Sequence, residues 1–136
     1  MKKNKLGKEI YGWAEKLFPI NRSITGIGVR KTLLFLKKQV PDISIKKVKS
    51  GTRVFDWKVP LEWKINEGYI ENDSKKKIID FKKNNLHVLG YSNSIDKLIS
   101  YSELNKHLYS LPSLPNAIPY RTSYYKKMWG FCLEHN

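Results

Sequence analysis

Pro19 and the glycine pair Gly26 and Gly28 punctuate the stretch Leu17–Val40, LFPINRSITGIGVRKTLLFLKKQV, and constrain the fold more than any other feature of the chain. Pro19 has a fixed φ and biases Phe18 away from helical angles, so a helix entering from the N-terminal side stops near Leu17. The polar turn that follows carries Asn21, Arg22, Ser23 and Thr25, whose side chains can hydrogen-bond locally, and two glycines free to take unusual backbone angles. From Val29 the apolar residues Val29, Leu33, Leu36 and Val40 recur at spacings of four, three and four, which is one helix face. Thr25 or Gly26 can cap that helix and Pro41 ends it. Before the turn, Leu6, Ile10, Trp13, Ala14 and Leu17 form the apolar stripe of another helix, where Trp13 is read as core.

Beyond Pro41 the pattern changes to extended. Ile43, Ile45 and Val48 suggest a first strand, Ser50-Gly51 a turn, and Arg53 to Val59 a second strand with Phe55, Trp57 and Val59 on one apolar face. Leu61 to Glu71 and the run KKKIIDF flank the turn Asn72-Asp73-Ser74 and read as a hairpin. Leu86–Tyr91, Ile95–Ile99, Thr122–Tyr125 and Met128–Leu133 add further short strands. Ser102 is the expected N-cap of a one- or two-turn helix carrying Leu104, Leu108 and, at its far end, Leu111, with Glu103 in its first turn. Pro112, Pro115 and Pro119 hold the loop after it extended. The spacing predicts an α+β chain: two helices and a strand, then a small antiparallel β unit.

At 136 residues, 40% of them hydrophobic, the chain can bury a core and is not disordered. No run is long enough to span a membrane, and the N-terminus lacks the apolar segment of a secretory signal, so a cytoplasmic location is expected. Cys132 is a lone cysteine without an internal disulfide partner. The net charge is +14, yet 22 of the 26 basic residues are lysine; only Arg22, Arg30, Arg53 and Arg121 carry the guanidinium that specific phosphate and base readers favour. No specific nucleic-acid partner is expected, nor a membrane.

Catalytic patterns are missing. His87, His107 and His135 are isolated, and Cys132 with His135 makes only a solitary C-x-x-H, so no catalytic, cofactor-binding or metal residue is assigned. Asp56, Glu62 and Asp80 are carboxylates with no spacing that joins them. The cluster Tyr120, Tyr124, Tyr125, Trp129 and Phe131 can line a groove or fill a core.

The succession of helix, R-x-x-T-G-x-G turn, helix and strand resembles the entry of co-catalytic zinc aminopeptidases. LFPINRSITGIGVRKTL, SGTRVFDWKVPLEW, NNLHVLGYS and IPYRTSYYKKMWGFCLEHN together resemble a bacterial and archaeal family of aminopeptidase-like proteins. That resemblance implies a peptidase fold with a small inserted β domain and a C-terminal winged helix, encoded among surface-polysaccharide genes. It implies residues 1–55 as the start of the peptidase domain, 56–125 as the insert, and 126–136 as a strand returning to the peptidase sheet. The family's zinc ligands would lie beyond the point matching Asn136, so the expectation is an N-terminal fragment of a zinc-dependent peptide hydrolase, incompetent alone. Its expected partner is the remainder of the peptidase domain, with self-association through exposed apolar surface as a further expectation. Asn21, Arg22 and Ser23 are candidates for a contact to substrate or to the insert, or for capping the second helix. The alternative function is a non-catalytic β-rich module that binds peptide or carbohydrate.

Overall fold

Helix α1, Lys2–Leu17, ends where Pro19 requires it to, with the Phe18 amide still donating to the Ala14 carbonyl at 2.8 Å. These coordinates come from a computed structural model that describes residues 2–136. Helix α2, Ile27–Gln39, starts after Gly26, whose φ of 118° is a seat suited to glycine, and no side chain caps it. The two helices meet where Trp13 sets its ring edge-on to Phe35, centroids 6.4 Å apart. Leu6 and Ile10, on the same stripe as Trp13, remain exposed.

The strand expected at Ile43–Val48 does not form. Residues 43–49 carry no ladder, because an extended segment becomes a strand only beside another, and none of the described strands lies alongside. Lys37 Nζ instead donates to the Ile43 carbonyl at 2.9 Å. The single strand expected over Arg53–Val59 is also corrected: it is a hairpin. Strands β1, Arg53–Val54, and β2, Trp57–Lys58, pair antiparallel around the two-residue tip Phe55–Asp56, and Gly51 and Thr52 bond Val59 at its base. Alternation along the run broke because Phe55 takes a left-handed φ of 52° and reverses the chain.

Two compact units result, the first ending at Glu62 and the second running Trp63–Asn136. In the second, β3, Tyr69–Glu71, and β4, Lys77–Asp80, form the expected hairpin, with a register shift at Ile70/Glu71. Its turn is set by the Asn72 carboxamide oxygen, which accepts from the amides of Ser74 and Lys76 at 3.1 and 3.0 Å. Asn85–His87 is a single 3₁₀ turn capped by Asn84. Leu86–Tyr91 and Thr122–Tyr125 contribute isolated bridges, Val88 to Phe131 and Gly90 to Thr122, and Ile95–Ile99 forms no ladder. Helix α3, Tyr101–Asn105, is capped by Ser100 rather than Ser102; the Ser100 hydroxyl accepts from the Glu103 amide at 3.3 Å.

Strand β5, Leu108–Tyr109, and β6, Phe131–Cys132, pair in parallel, which departs from the all-antiparallel expectation. Their close approach needs Gly130: a Cβ there would lie 2.5 Å from the Tyr109 ring and 2.7 Å from the His107 carbonyl. The buried apolar side chains of the second unit are Ile79, Leu89, Phe131 and Cys132, the last two in β6, and Ser123, also buried, donates to the Gly90 and Tyr91 carbonyls. The α+β class, helices first and short strands after, is the one the spacing indicated.

Candidate functional site

The turn between α1 and α2 holds Asn21, Arg22 and Ser23, and each has a local task. The Arg22 guanidinium donates to the Leu17 carbonyl, placing a cation on the C-terminal end of α1 where the helix dipole favours it. Ser23 Oγ donates to the Thr25 carbonyl. The Asn21 carbonyl lies against Gly28, where a Cβ would stand 1.9 Å from its oxygen. Asn21 and Ser23 are half-buried, whereas Arg22 is exposed.

The first turn of α2 is tied forward to the end of the first unit. Thr25 Oγ1 donates to the Leu61 carbonyl at 3.2 Å, and Arg30 forms a two-pronged pair with Glu62, one prong at 2.9 Å. The hydrogen bond from Arg30 holds the Glu62 carboxyl below the usual carboxylate range, and the same bond raises Arg30. Glu62 is thus an ion-pair member. Asp80 accepts from the Lys82 amide at 2.9 Å, and Asp56 sits at the hairpin tip.

In the second unit the aromatic residues split between core and surface. Trp63 donates its indole N–H to the Ser92 carbonyl at 2.9 Å and stacks on Tyr91, centroids 5.9 Å apart. Tyr91, at a left-handed φ of 63°, meets Tyr124 edge-on at 5.0 Å. The hydrogen bond with Tyr124, and then burial, push the Tyr120 hydroxyl up to about 12. Trp129 is covered by His107, rings 3.7 Å apart, and Phe131 is core. Tyr120 and Tyr125 remain exposed.

The potential metal donors are otherwise engaged. Cys132 is fully buried, and desolvation pushes its thiol up to about 11. His135, three residues on, is exposed and shares a 2.8 Å hydrogen bond with Ser110. His87 Nδ1 lies 2.8 Å from the Cys132 carbonyl, and His107 Nδ1 lies 3.1 Å from that of Trp129. Among the described residues no group of three or more His, Cys, Asp or Glu could hold a metal ion, so the zinc implied by the resemblance finds no fit in them. No helix among them is long and apolar enough to cross a membrane.

Sequence reasoning missed the Arg30–Glu62 pair and the Phe55 turn. Glu62 was visible as a carboxylate without an assigned partner, and Phe55 as one residue of an apolar strand face.

Residues 62–136 match a family described as a domain of unknown function, DUF2172. Over 130 residues the chain is 52% identical to a Clostridium acetobutylicum protein provisionally named a polysaccharide biosynthesis protein with aminopeptidase-like domain. That match takes in 96% of this chain and 30% of the relative's length. The fold superposes with a TM-score of 0.90, at 51% identity, on a crystal structure from the same species provisionally named a peptidase, covering 96% of this chain and 31% of that one.

Proposed function

The chain belongs to the DUF2172 family, and from that premise we propose that it is the N-terminal part of an aminopeptidase-like, zinc-dependent peptide hydrolase and is not competent for catalysis alone. The observation that carries this reading is the match along 96% of the chain, in sequence and in fold, to proteins with aminopeptidase-like and peptidase names of which it spans under a third. The relative's name also supports a setting in polysaccharide biosynthesis. The cytoplasm is the compartment we propose, on the lone cysteine alone.

Zinc, when bound by such an enzyme, supplies a Lewis acid and an activated water. The residues to hold it belong, in this reading, to the further part of the protein, which is this chain's proposed partner. Residues 56–125 serve as the inserted domain that borders the substrate path. Asn21, Arg22 and Ser23 remain the chain's candidate contact to substrate or between domains. A free-standing peptide or carbohydrate module is less well supported, because Tyr124 and Trp129 turn their rings onto Tyr91 and His107.

The test is hydrolysis of amino-acid p-nitroanilides with added zinc. This chain alone should give none. Co-expressed with the part of the C. acetobutylicum relative outside the 130 aligned residues, it should give chelator-sensitive hydrolysis. Activity of the chain alone refutes its incompetence, and an inactive purified complex refutes the hydrolase reading.

A further inference from the structure

Phe55 occupies the tip of the β1–β2 hairpin at φ 52°, and its side chain is 93% exposed. Left-handed backbone is costly for a residue with a bulky Cβ substituent, while glycine takes it freely. Burial within this chain returns almost nothing for that cost, since the ring touches mostly solvent. Asp56, a residue type that tolerates the left-handed region better, stands next to the strained seat and does not occupy it. Here the sequence spends stability to project an aromatic ring, the pattern expected where strain serves recognition.

What surrounds the ring describes its partner. Trp57, the next residue but one, is itself 42% exposed. Arg53 and Lys58 stand directly opposite each other across the ladder, both exposed. Lys49 lies at the hairpin's base, where its carbonyl accepts from the Thr52 amide at 3.1 Å, and Lys46 and Lys47 precede it on the exposed segment. The hairpin is an aromatic knob with one carboxylate, Asp56, beside the ring at the tip and a cationic collar of Arg53, Lys58 and Lys49 below it. Aromatic anchors of this kind fill apolar pockets, and a basic collar suits an acidic rim.

We infer that this hairpin is the docking element for the part of the aminopeptidase-like protein that lies outside this chain, and that its receiving surface is an apolar socket rimmed by carboxylates. The inference rests on the reading proposed above. The solved relative that shares this fold at a TM-score of 0.90 carries the larger part of its own length outside the match, and that part is the occupant; the hairpin lies within the matched stretch.

The experiment co-expresses the whole chain with the non-aligned part of the C. acetobutylicum relative and follows the purified complex by sedimentation velocity through a dilution series. Phe55→Gly removes the ring and the backbone strain together, so the variant chain alone should melt no lower than the original. It should nevertheless weaken the complex about tenfold or more. Leu98→Ser, which alters a side chain 96% exposed in the second unit, should change the affinity less than about twofold. Raised salt should weaken the original complex. Unchanged affinity in Phe55→Gly overturns the docking role and leaves the hydrolase reading standing; no complex at all overturns both. Phe55-dependent self-association, or Phe55-dependent binding to phosphatidylserine vesicles, in place of the mixed complex also overturns it.

Discussion

Arg30 in α2 and Glu62 at the end of the first unit form a two-pronged ion pair across 32 positions of sequence. With Thr25 bonding the Leu61 carbonyl alongside, the pair fixes where the chain leaves the hairpin relative to the start of α2. Both side chains are about half exposed, so the pair is screened by solvent and salt. Because Glu62 titrates below its ordinary value of 4.5, its contribution is present above that pH and is lost as pH falls through the depressed value. A double-mutant cycle of Arg30→Met and Glu62→Gln should show favourable coupling at neutral pH and low salt. The coupling should fade as pH drops through that depressed value, and it should vanish in about 1 M salt.

Cys132 gives the opposite pH signature. Its thiol is held at about 11 against an ordinary value of 9.0, so the unfolded chain ionises first as pH rises. The contribution is complete below pH 9 and declines as pH climbs from about 9 to about 11. Thermal unfolding across that window should show a falling melting temperature, and Cys132→Ala should flatten the decline while lowering stability overall through the cavity it leaves. A thiol reagent at pH 8 should label Cys132 only as fast as the second unit opens.

The parts legible in the sequence are those with local causes. Pro19 stops α1, Gly26 opens α2, and Asn72 turns the β3–β4 hairpin, each through angles or hydrogen bonds made within a few residues. What was not legible depends on distant partners or on rare local states. Ile43–Val48 has strand-forming residues but no neighbouring ladder. Phe55 reverses the chain from a seat that composition assigns to glycine, so an alternating run read as one strand where there are two. The parallel pairing of Leu108 with Phe131 joins segments 23 residues apart and leaves only Gly130 as a trace, and the Ser100 cap competed with an equally plausible Ser102. In the candidate turn, Arg22 was recognisable as a polar group near a helix end, but its use of the Leu17 carbonyl emerges only from the folded geometry.

Metal removal provides a third check. His87, His107, His135 and Cys132 are each held by other contacts or buried, and no metal-holding group exists among the described residues. Melting temperature of this chain should therefore be unchanged by a chelator. Titration calorimetry with zinc should show no saturable one-to-one binding, since a lone histidine does not complete a tetrahedral ligand set. A saturable site, or a chelator-sensitive melt, would show that the chain does contribute ligands.

Two glycines of the first unit separate backbone necessity from mere tolerance. In α1, Gly12 has open space where a Cβ would go, and a helix interior disfavours glycine, so Gly12→Ala should stabilise by about 0.5–1 kcal/mol. At Gly28 the same added atom would stand 1.9 Å from the Asn21 carbonyl oxygen and 2.9 Å from its carbon. Those are backbone atoms of the turn that carries Arg22 and Ser23, and they cannot retreat without moving it. Gly28→Ala should cost about 2–4 kcal/mol in chemical denaturation. If the Asn21–Ser23 turn also contacts substrate, Arg22→Ala in an active assembly should change KM or kcat with little change in melting temperature, whereas Gly28→Ala should lower both activity and stability. Equal losses of activity and stability in Arg22→Ala would leave the turn with its structural task of capping α1 and none in recognition.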